Sequence, residues 1–356
     1  MISFQPGPSQ VYPQLNTYFQ DAFNDGILSI NHRSDRFMEI MKQTVALLHQ
    51  KLNIPADYQI YFVSSATEAW EIIAQSLTHL KSSHIYNGDF GEKWADYTSQ
   101  IVNNVCRMEM DLDEDYRDSM NSNSCLETSI ICLTHNETSN GTQMPVQRKN
   151  HSQNHQTLIA VDATSSMAGV ELEWLEADVW FASVQKCFGL PAGMALMVCS
   201  PNALKQANKI KDYKYYNSLL RIHENAEKFQ THCTPNVLNI YLLYRLLADL
   251  STIEKISEAT KIRAKAWYNF FEENGYELLV KNHDLRSETV IAVRDSPENI
   301  IALKQKALTK GFEIGNGYGN WKYDTFRIAN FPAINDKQIS DLKVVLKEIL
   351  PQQKKQ

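Results

Sequence analysis

Short apolar runs along this chain alternate with stretches in which apolar residues recur every three or four positions. IYFV (60–63), HIYN (84–87), SIICLT (129–134), LIAVD (158–162), VWFAS (179–183) and MALMVC (194–199) are short and rich in β-branched or aromatic residues. They predict strands buried on both faces. Helical patterns follow the first two, from about Thr67 to Leu77 and from about Glu92 to Val102. This alternation predicts an α/β fold, a mostly parallel central sheet with helices on both faces.

The pattern changes near Thr234-Pro235. Pro235 suits a first helical turn, and the helix runs on through YLLYRLLADL. A break at Ser251-Thr252 starts another helix, ending near Asn274-Gly275. YELLV, ETVIAV, a helix from Pro297 to Thr309, TFRIA and a last helix ending near Leu350 complete a smaller α+β domain. The polar stretches 111–125 and 147–157 predict surface connections or insertions.

Composition narrows the field. The 356 residues are 43% hydrophobic and carry a net charge of −6. At about 150 residues per domain the length suggests two domains. A nucleic-acid partner would call for a basic face, and none is expected. The acidic turn DLDEDY (111–116) and the tail QQKKQ read as solvated surface. No run reaches the ~20 apolar residues of a membrane helix, and the start MISFQPGPSQ lacks the features of a signal peptide. The six cysteines are scattered without a CxxC pair, which predicts reduced thiols in the cytoplasm and no zinc site. His151 and His155 lie in a polar stretch and read as loop residues.

The candidate chemistry lies just past the predicted strands. SSATEAW (64–70) is either an ordinary Ser/Thr N-cap or an anion cradle at a helix N-terminus. In GDFGEKW (88–94), Phe90 is either core or the floor of a pocket for a flat ligand. In HNETSNG (135–141), Asn136, Thr138 and Asn140 are turn formers or a polar clamp. Asp162 ends a very apolar strand, where a carboxylate needs a partner, and a cationic ring nitrogen would serve. Lys186, in ASVQKCFGLPAG (182–193), also follows an apolar strand. It is a surface cation, or a desolvated nucleophile toward carbonyls.

An anion cradle, an aromatic floor, a buried aspartate and a buried lysine together match what pyridoxal 5′-phosphate requires. The order SSAT, GDFG, NET, VDATSS, SVQK resembles the class V, fold-type I aminotransferases over nearly the whole chain. PGP (6–8), INHRSDRF (30–37) and GYGNWKYDTFRIANFP (317–332) make the resemblance strongest to the phosphoserine aminotransferases. The resemblance implies a homodimer with shared sites and two domains: residues 15–250 binding the cofactor, and 1–14 with 251–356 forming the small domain. It makes Lys186 the imine-forming lysine and Asp162 the partner of the ring nitrogen. Phe90 stacks on the ring, where the family often has Trp. Thr138 and Gln185 contact the cofactor's 3-oxygen and phosphate regions, and Ala66 and Thr67 line the cradle. Arg327 clamps the substrate's α-carboxylate. His32 and Arg33 reach the substrate phosphate from the neighbouring subunit, and Thr234 reaches the cofactor phosphate across the dimer.

Some features depart from that pattern. SSAT replaces a Gly-rich cradle, and serine- or alanine-glyoxylate aminotransferases share both this cradle and the SQK-x-x-x-x-P-x-G spacing. Substrate identity therefore rests mainly on His32 and Arg33. Gln185 stands where cysteine desulfurases carry His. A non-catalytic relative would be expected to lack Lys186 or Asp162.

Overall fold

The computed structural model describes residues 1–116, 128–148 and 157–348. In chain order they form β1 (Ile2–Phe4), α1 (Leu15–Asn24), α2 (Asp35–Leu52), β2 (Gln59–Val63), α3 (Ala66–Ser76), β3 (Ser82–Tyr86), α4 (Asp89–Ser99) and β4 (Val105–Glu109). Then come β5 (Ile130–Thr134), β6 (Asn136–Glu137), β7 (Thr142–Gln143), β8 (Leu158–Asp162), β9 (Val179–Ser183), β10 (Ala195–Cys199), α5 (Pro201–Ile210), α6 (Leu219–Ala226) and α7 (Val237–Asp249). The last stretch holds α8 (Ile253–Glu273), β11 (Glu277–Leu278), β12 (Val290–Arg294), α9 (Pro297–Thr309), β13 (Phe312–Asn316), β14 (Thr325–Ala329) and α10 (Asp336–Lys347).

Seven strands form the large sheet in the order β2-β10-β9-β8-β5-β3-β4. Every residue of β5, β8, β9 and β10 is buried, as their continuous apolar runs require. One face packs on α3 and α5 through Trp70, Ile73, Ala203 and Ala207, and the other on α2 and α7 through Phe37, Leu48 and Leu243. All neighbours pair in parallel except β10, which is antiparallel to both β9 and β2. The reason is the connection. Residues 184–194 are a loop, and a parallel return needs a dozen or more residues, usually with a helix. Lys186 sits in this short return.

A second sheet has the order β1-β13-β14-β12-β11 and draws its first strand from the N-terminus. Ser287 and Thr289, just before β12, hydrogen-bond to Asn136 and Ser165 at the end of the large sheet. This fastens the small sheet beside the site.

Most expected elements are present. The predicted strand YELLV shrinks to two residues at the edge of the small sheet, and just past it the N–H groups of Lys281 and Asn282 turn to the Asp113 side chain. Cys132, Cys187, Cys199 and Cys233 are free, but Cys106 is disulfide-bonded, which corrects the expectation of reduced thiols throughout. Cys106 lies half-buried on the edge strand β4, open to a covalent partner that no spacing pattern announced. His151, His155, the tail and parts of the two polar stretches lie outside the described residues. Among the described residues no helix is long and apolar enough to cross a membrane.

Candidate active site

The parallel strands β2, β3, β5, β8 and β9 end on one edge of the large sheet, where α/β folds collect ligand sites. Lys186 is 7% exposed, and its Nζ donates to Thr138 Oγ1 at 2.7 Å. Thr138 Oγ1 donates to Ser165 Oγ at 3.0 Å, and Ser165 donates to the Asn136 carbonyl at 2.8 Å. This relay turns a threonine lone pair toward the amine. Burial pulls the Lys186 pKa down to about 8, against the pull of Asp162 and Glu137, and Arg327 lowers it further. A lysine so placed is far closer to a free amine at neutral pH than a surface lysine.

Asp162 ends β8 and is buried. Its Oδ2 accepts from Trp70 Nε1 at 3.2 Å and its Oδ1 from the Thr164 N–H at 2.9 Å. Burial raises its pKa, while the Thr164 hydrogen bonds, Lys186 and Trp70 oppose the rise. Its hydrogen bonds among the described residues come only from neutral donors, so the buried charge lacks a directly bonded cation. A protonated ring nitrogen would supply one.

Phe90 is half-buried in the first turn of α4, with Lys186 Nζ 5.2 Å from its ring centre. The Tyr318 ring stacks on it at 5.1 Å and 22°. Lys93 Nζ donates to the Tyr318 hydroxyl at 2.8 Å, and the Arg327 guanidinium lies 5.3 Å from the same ring.

Arg327 comes from β14 of the small sheet. Its Nε and Nη1 donate to the carbonyls of Asn316 and Thr138, at 2.7 and 2.6 Å. Those two bonds fix the fork, and its other donors remain to grip an anion. Burial lowers its pKa to about 10, with Glu137, Tyr318 and Asp89 opposing.

Ala66 and Thr67 open α3. Ser65 is its N-cap, accepting from the Glu68 N–H at 3.1 Å, so the capping reading holds. The Ala66 N–H reaches Ser183 Oγ at 3.0 Å, which joins this helix end to the end of β9. Glu68 accepts from both the N–H and the hydroxyl of Ser64, at 2.7 Å each, so a carboxylate shares this terminus. Gln185 is half-buried, with its carbonyl bonded to the Ser9 N–H at 3.1 Å.

The structure does not bring His32, Arg33 and Thr234 into this cluster. Arg33 and Thr234 are exposed and His32 is half-buried. Arg33 Nη1 donates to Gln230 Oε1 at 2.6 Å, while Ser34 caps α2 through the Phe37 N–H.

Sequence reasoning missed Glu137, Trp70, Ser165, Lys93 and Tyr318 as parts of the site. Trp70 lies one helical turn beyond Ala66, a spacing that brings it back to the same face. Glu137 stood in the NET triplet, read only for its neighbours. Nothing in the sequence joins Tyr318 to Lys93 across 225 positions.

The residues present fit pyridoxal phosphate: a buried amine and a buried carboxylate without directly bonded counter-ions, an aromatic face near the amine, and a helix N-terminus beside β9. The Aminotransferase class-V family description matches residues 5–299. A phosphoserine aminotransferase of Rhodococcus opacus (strain B4) is 27% identical, over 95% of this chain and 92% of its own length. The solved structure of a phosphoserine aminotransferase from Cytophaga hutchinsonii superposes with a TM-score of 0.92 at 32% identity, covering 98% of each chain. An alanine–glyoxylate aminotransferase from Nostoc sp. gives 0.83 at 19% identity, covering 98% of this chain and 95% of that one. That last likeness is one of fold.

Proposed function

The chain belongs to the class-V aminotransferase family, and from that premise we propose that it moves an amino group between L-glutamate and 3-phosphonooxypyruvate, making or consuming phosphoserine. The observation that carries this choice is the likeness, over nearly the whole chain, to proteins named phosphoserine aminotransferases. The same reading implies a role in serine biosynthesis and a cytoplasmic location. It takes residues 15–250 as the large domain and 1–14 with 251–356 as the small one. The two sheets support this, since β1 joins the strands of the C-terminal part.

Pyridoxal 5′-phosphate, the cofactor of this family, supplies when bound an electron sink that makes the substrate's Cα–H acidic. Ala66 and Thr67 would hold its phosphate with main-chain N–H groups, and Gln185 would border that end. Phe90 would lie along the ring. Asp162 would keep a proton on the ring nitrogen, its carboxylate already aimed by Trp70 and Thr164. Thr138 would bond the ring oxygen. Arg327 would take the substrate's α-carboxylate, with two backbone carbonyls steadying the fork. Lys186 Nζ, as a free amine, would take the proton from the substrate's Cα and return it in the reverse direction. Thr138 and Ser165 aim that nitrogen.

His32, Arg33 and Thr234 would act across a homodimer, the first two on the substrate phosphate. Their place outside the cluster of their own chain, with Arg33 and Thr234 exposed, supports this. The test is a half-reaction. The protein, loaded with pyridoxal phosphate, is mixed separately with phosphoserine, serine, alanine and glutamate, and the visible spectrum is followed. Rapid bleaching by phosphoserine and glutamate, but not by serine or alanine, is expected. Faster bleaching by serine or alanine would move the substrate to the glyoxylate-linked branch.

A further inference from the structure

Glu137 is a carboxylate the reaction scheme above does not use. It is 1% exposed. Its Oε2 accepts from the Gly91 N–H at 3.1 Å, and its Oε1 from the Ser139 N–H at 2.9 Å and the Ser139 hydroxyl at 2.7 Å. Gly91 is the third residue of α4. The first turn of a helix leaves its N–H groups without partners inside the helix, and an N-cap side chain normally serves them. Here the N-cap is Gly88, which has no side chain. The cap comes instead from β6 and the turn after it: Glu137 takes the Gly91 N–H, and Ser139 Oγ takes the Asp89 N–H at 3.1 Å.

Gly88 is the residue that allows this. A Cβ there would stand 2.5 Å from Glu137 Cγ, 2.6 Å from Ser139 Oγ and 2.8 Å from Asn140 Nδ2. The capping pair occupies the space that an ordinary N-cap side chain would need. Phe90 lies between the two residues capped in this way. Thr138, which aims Lys186 and anchors Arg327, lies between the two residues that do the capping. One buried carboxylate therefore ties the aromatic platform to the segment that orients the lysine. An anion is also the right occupant for a helix N-terminus.

We propose that Glu137 is a positioning residue: it caps the platform helix from another strand and supplies a buried negative charge to Lys186 and Arg327. This rests on the reading of Lys186 as the cofactor-bearing residue. Burial and Asp162 at the end of β8 push the Glu137 pKa up, and the hydrogen bonds from Ser139 and Gly91 oppose the rise. When Glu137 is ionised, Lys186 from the β9–β10 loop, Arg327 from β14 and Lys93 from α4 feel its charge. Cys187 also acts on Lys186.

The test uses the holoenzyme loaded with pyridoxal phosphate in three forms: wild type, Glu137→Gln and Glu137→Asp. Two signals are read, the pH midpoint of the visible absorbance change and the visible circular dichroism, which reports how the ring is held. Glu137→Gln removes the anion that favours a protonated nitrogen, so its midpoint should fall by about one pH unit, a tenfold loss of proton affinity. Glu137→Asp keeps the charge but is one methylene too short for Gly91. Its midpoint should stay near wild type while its dichroism weakens. A structural role alone would not separate the two signals in this way. A wild-type midpoint in Glu137→Gln overturns the charge role, and unchanged dichroism in both variants overturns the capping role. If Glu137→Gln does not fold, Ser139→Ala takes its place beside Glu137→Asp, and weakened dichroism at a wild-type midpoint is expected from each. Unchanged dichroism in that pair overturns the proposal. A wild-type holoenzyme without a visible band overturns it together with the reading of Lys186.

Discussion

Two sets of residues were assigned to the same reaction, and they live in opposite surroundings. Lys186, Asp162, Thr138 and Arg327 are all buried, and each is held by hydrogen bonds that fix its direction. Arg33 and Thr234 are exposed, and the Arg33 guanidinium donates to Gln230 Oε1. Buried polar groups are costly unless paired, so the first set persists because the chain has built partners for it. Among the described residues the second set has no comparable buried network. On the proposed reading this contrast is a division of labour: bond-making chemistry would be preorganised inside a subunit, while recognition of the far end of the substrate would wait for a second subunit.

The contrast can be broken first at its strongest point. Lys186→Ala should fold normally and lose transamination by about three orders of magnitude or more, the scale of removing a positioned proton carrier. Single-turnover kinetics would show it, and a variant that keeps full turnover contradicts the role of the lysine. Asp162→Asn comes next. It should retain cofactor but turn over roughly a hundredfold more slowly, about 2.7 kcal/mol of barrier. A loss below tenfold would remove the reason for a carboxylate at the end of β8.

The exposed set should give a smaller and more selective effect. Arg33→Ala should lower kcat/KM for phosphoserine by about 10- to 150-fold, the worth of one charge-assisted hydrogen bond, and change serine or alanine much less. Equal losses on both kinds of substrate would take Arg33 out of phosphate recognition.

A last effect concerns stability rather than turnover. Lys186 is pulled from 10.5 to about 8, mainly by burial. Between those values the unfolded chain binds the extra proton and the folded one does not, so folding gains stability as pH rises through the window. The gain is at most about 1.4 kcal/mol per pH unit. Urea unfolding of the cofactor-free protein at pH 7.5 and 10 should show this slope in wild type and lose it in Lys186→Met. The same slope in both would mean that the lysine is not desolvated.

Much of the buried set was legible in the sequence, because a charge at the end of a long apolar run is conspicuous. Asp162 after LIAV and Lys186 after VWFAS stand out for that reason. Partners brought by tertiary folding were not legible. Trp70 reaches Asp162 from a helix, and Tyr318 meets Lys93 and Phe90 from the far end of the chain. Glu137 was overlooked because its role depends on a glycine at position 88 that no local rule connects to it. The antiparallel turn of β10 was set by loop length, which a pattern of apolar runs does not weigh. The disulfide at Cys106 had no spacing signal at all.

Subunit mixing tests the division of labour most directly. Lys186→Ala and Arg33→Ala proteins, each nearly inactive on phosphoserine, are unfolded together, refolded and assayed. If Arg33 serves the neighbour's site, every mixed dimer carries one intact site, and random pairing gives about a quarter of the wild-type site density. Recovery of phosphoserine activity toward that level is the predicted result. Activity no greater than the sum of the two parents, with mixed dimers verified, would contradict the account and place Arg33 with the site of its own chain or outside the reaction.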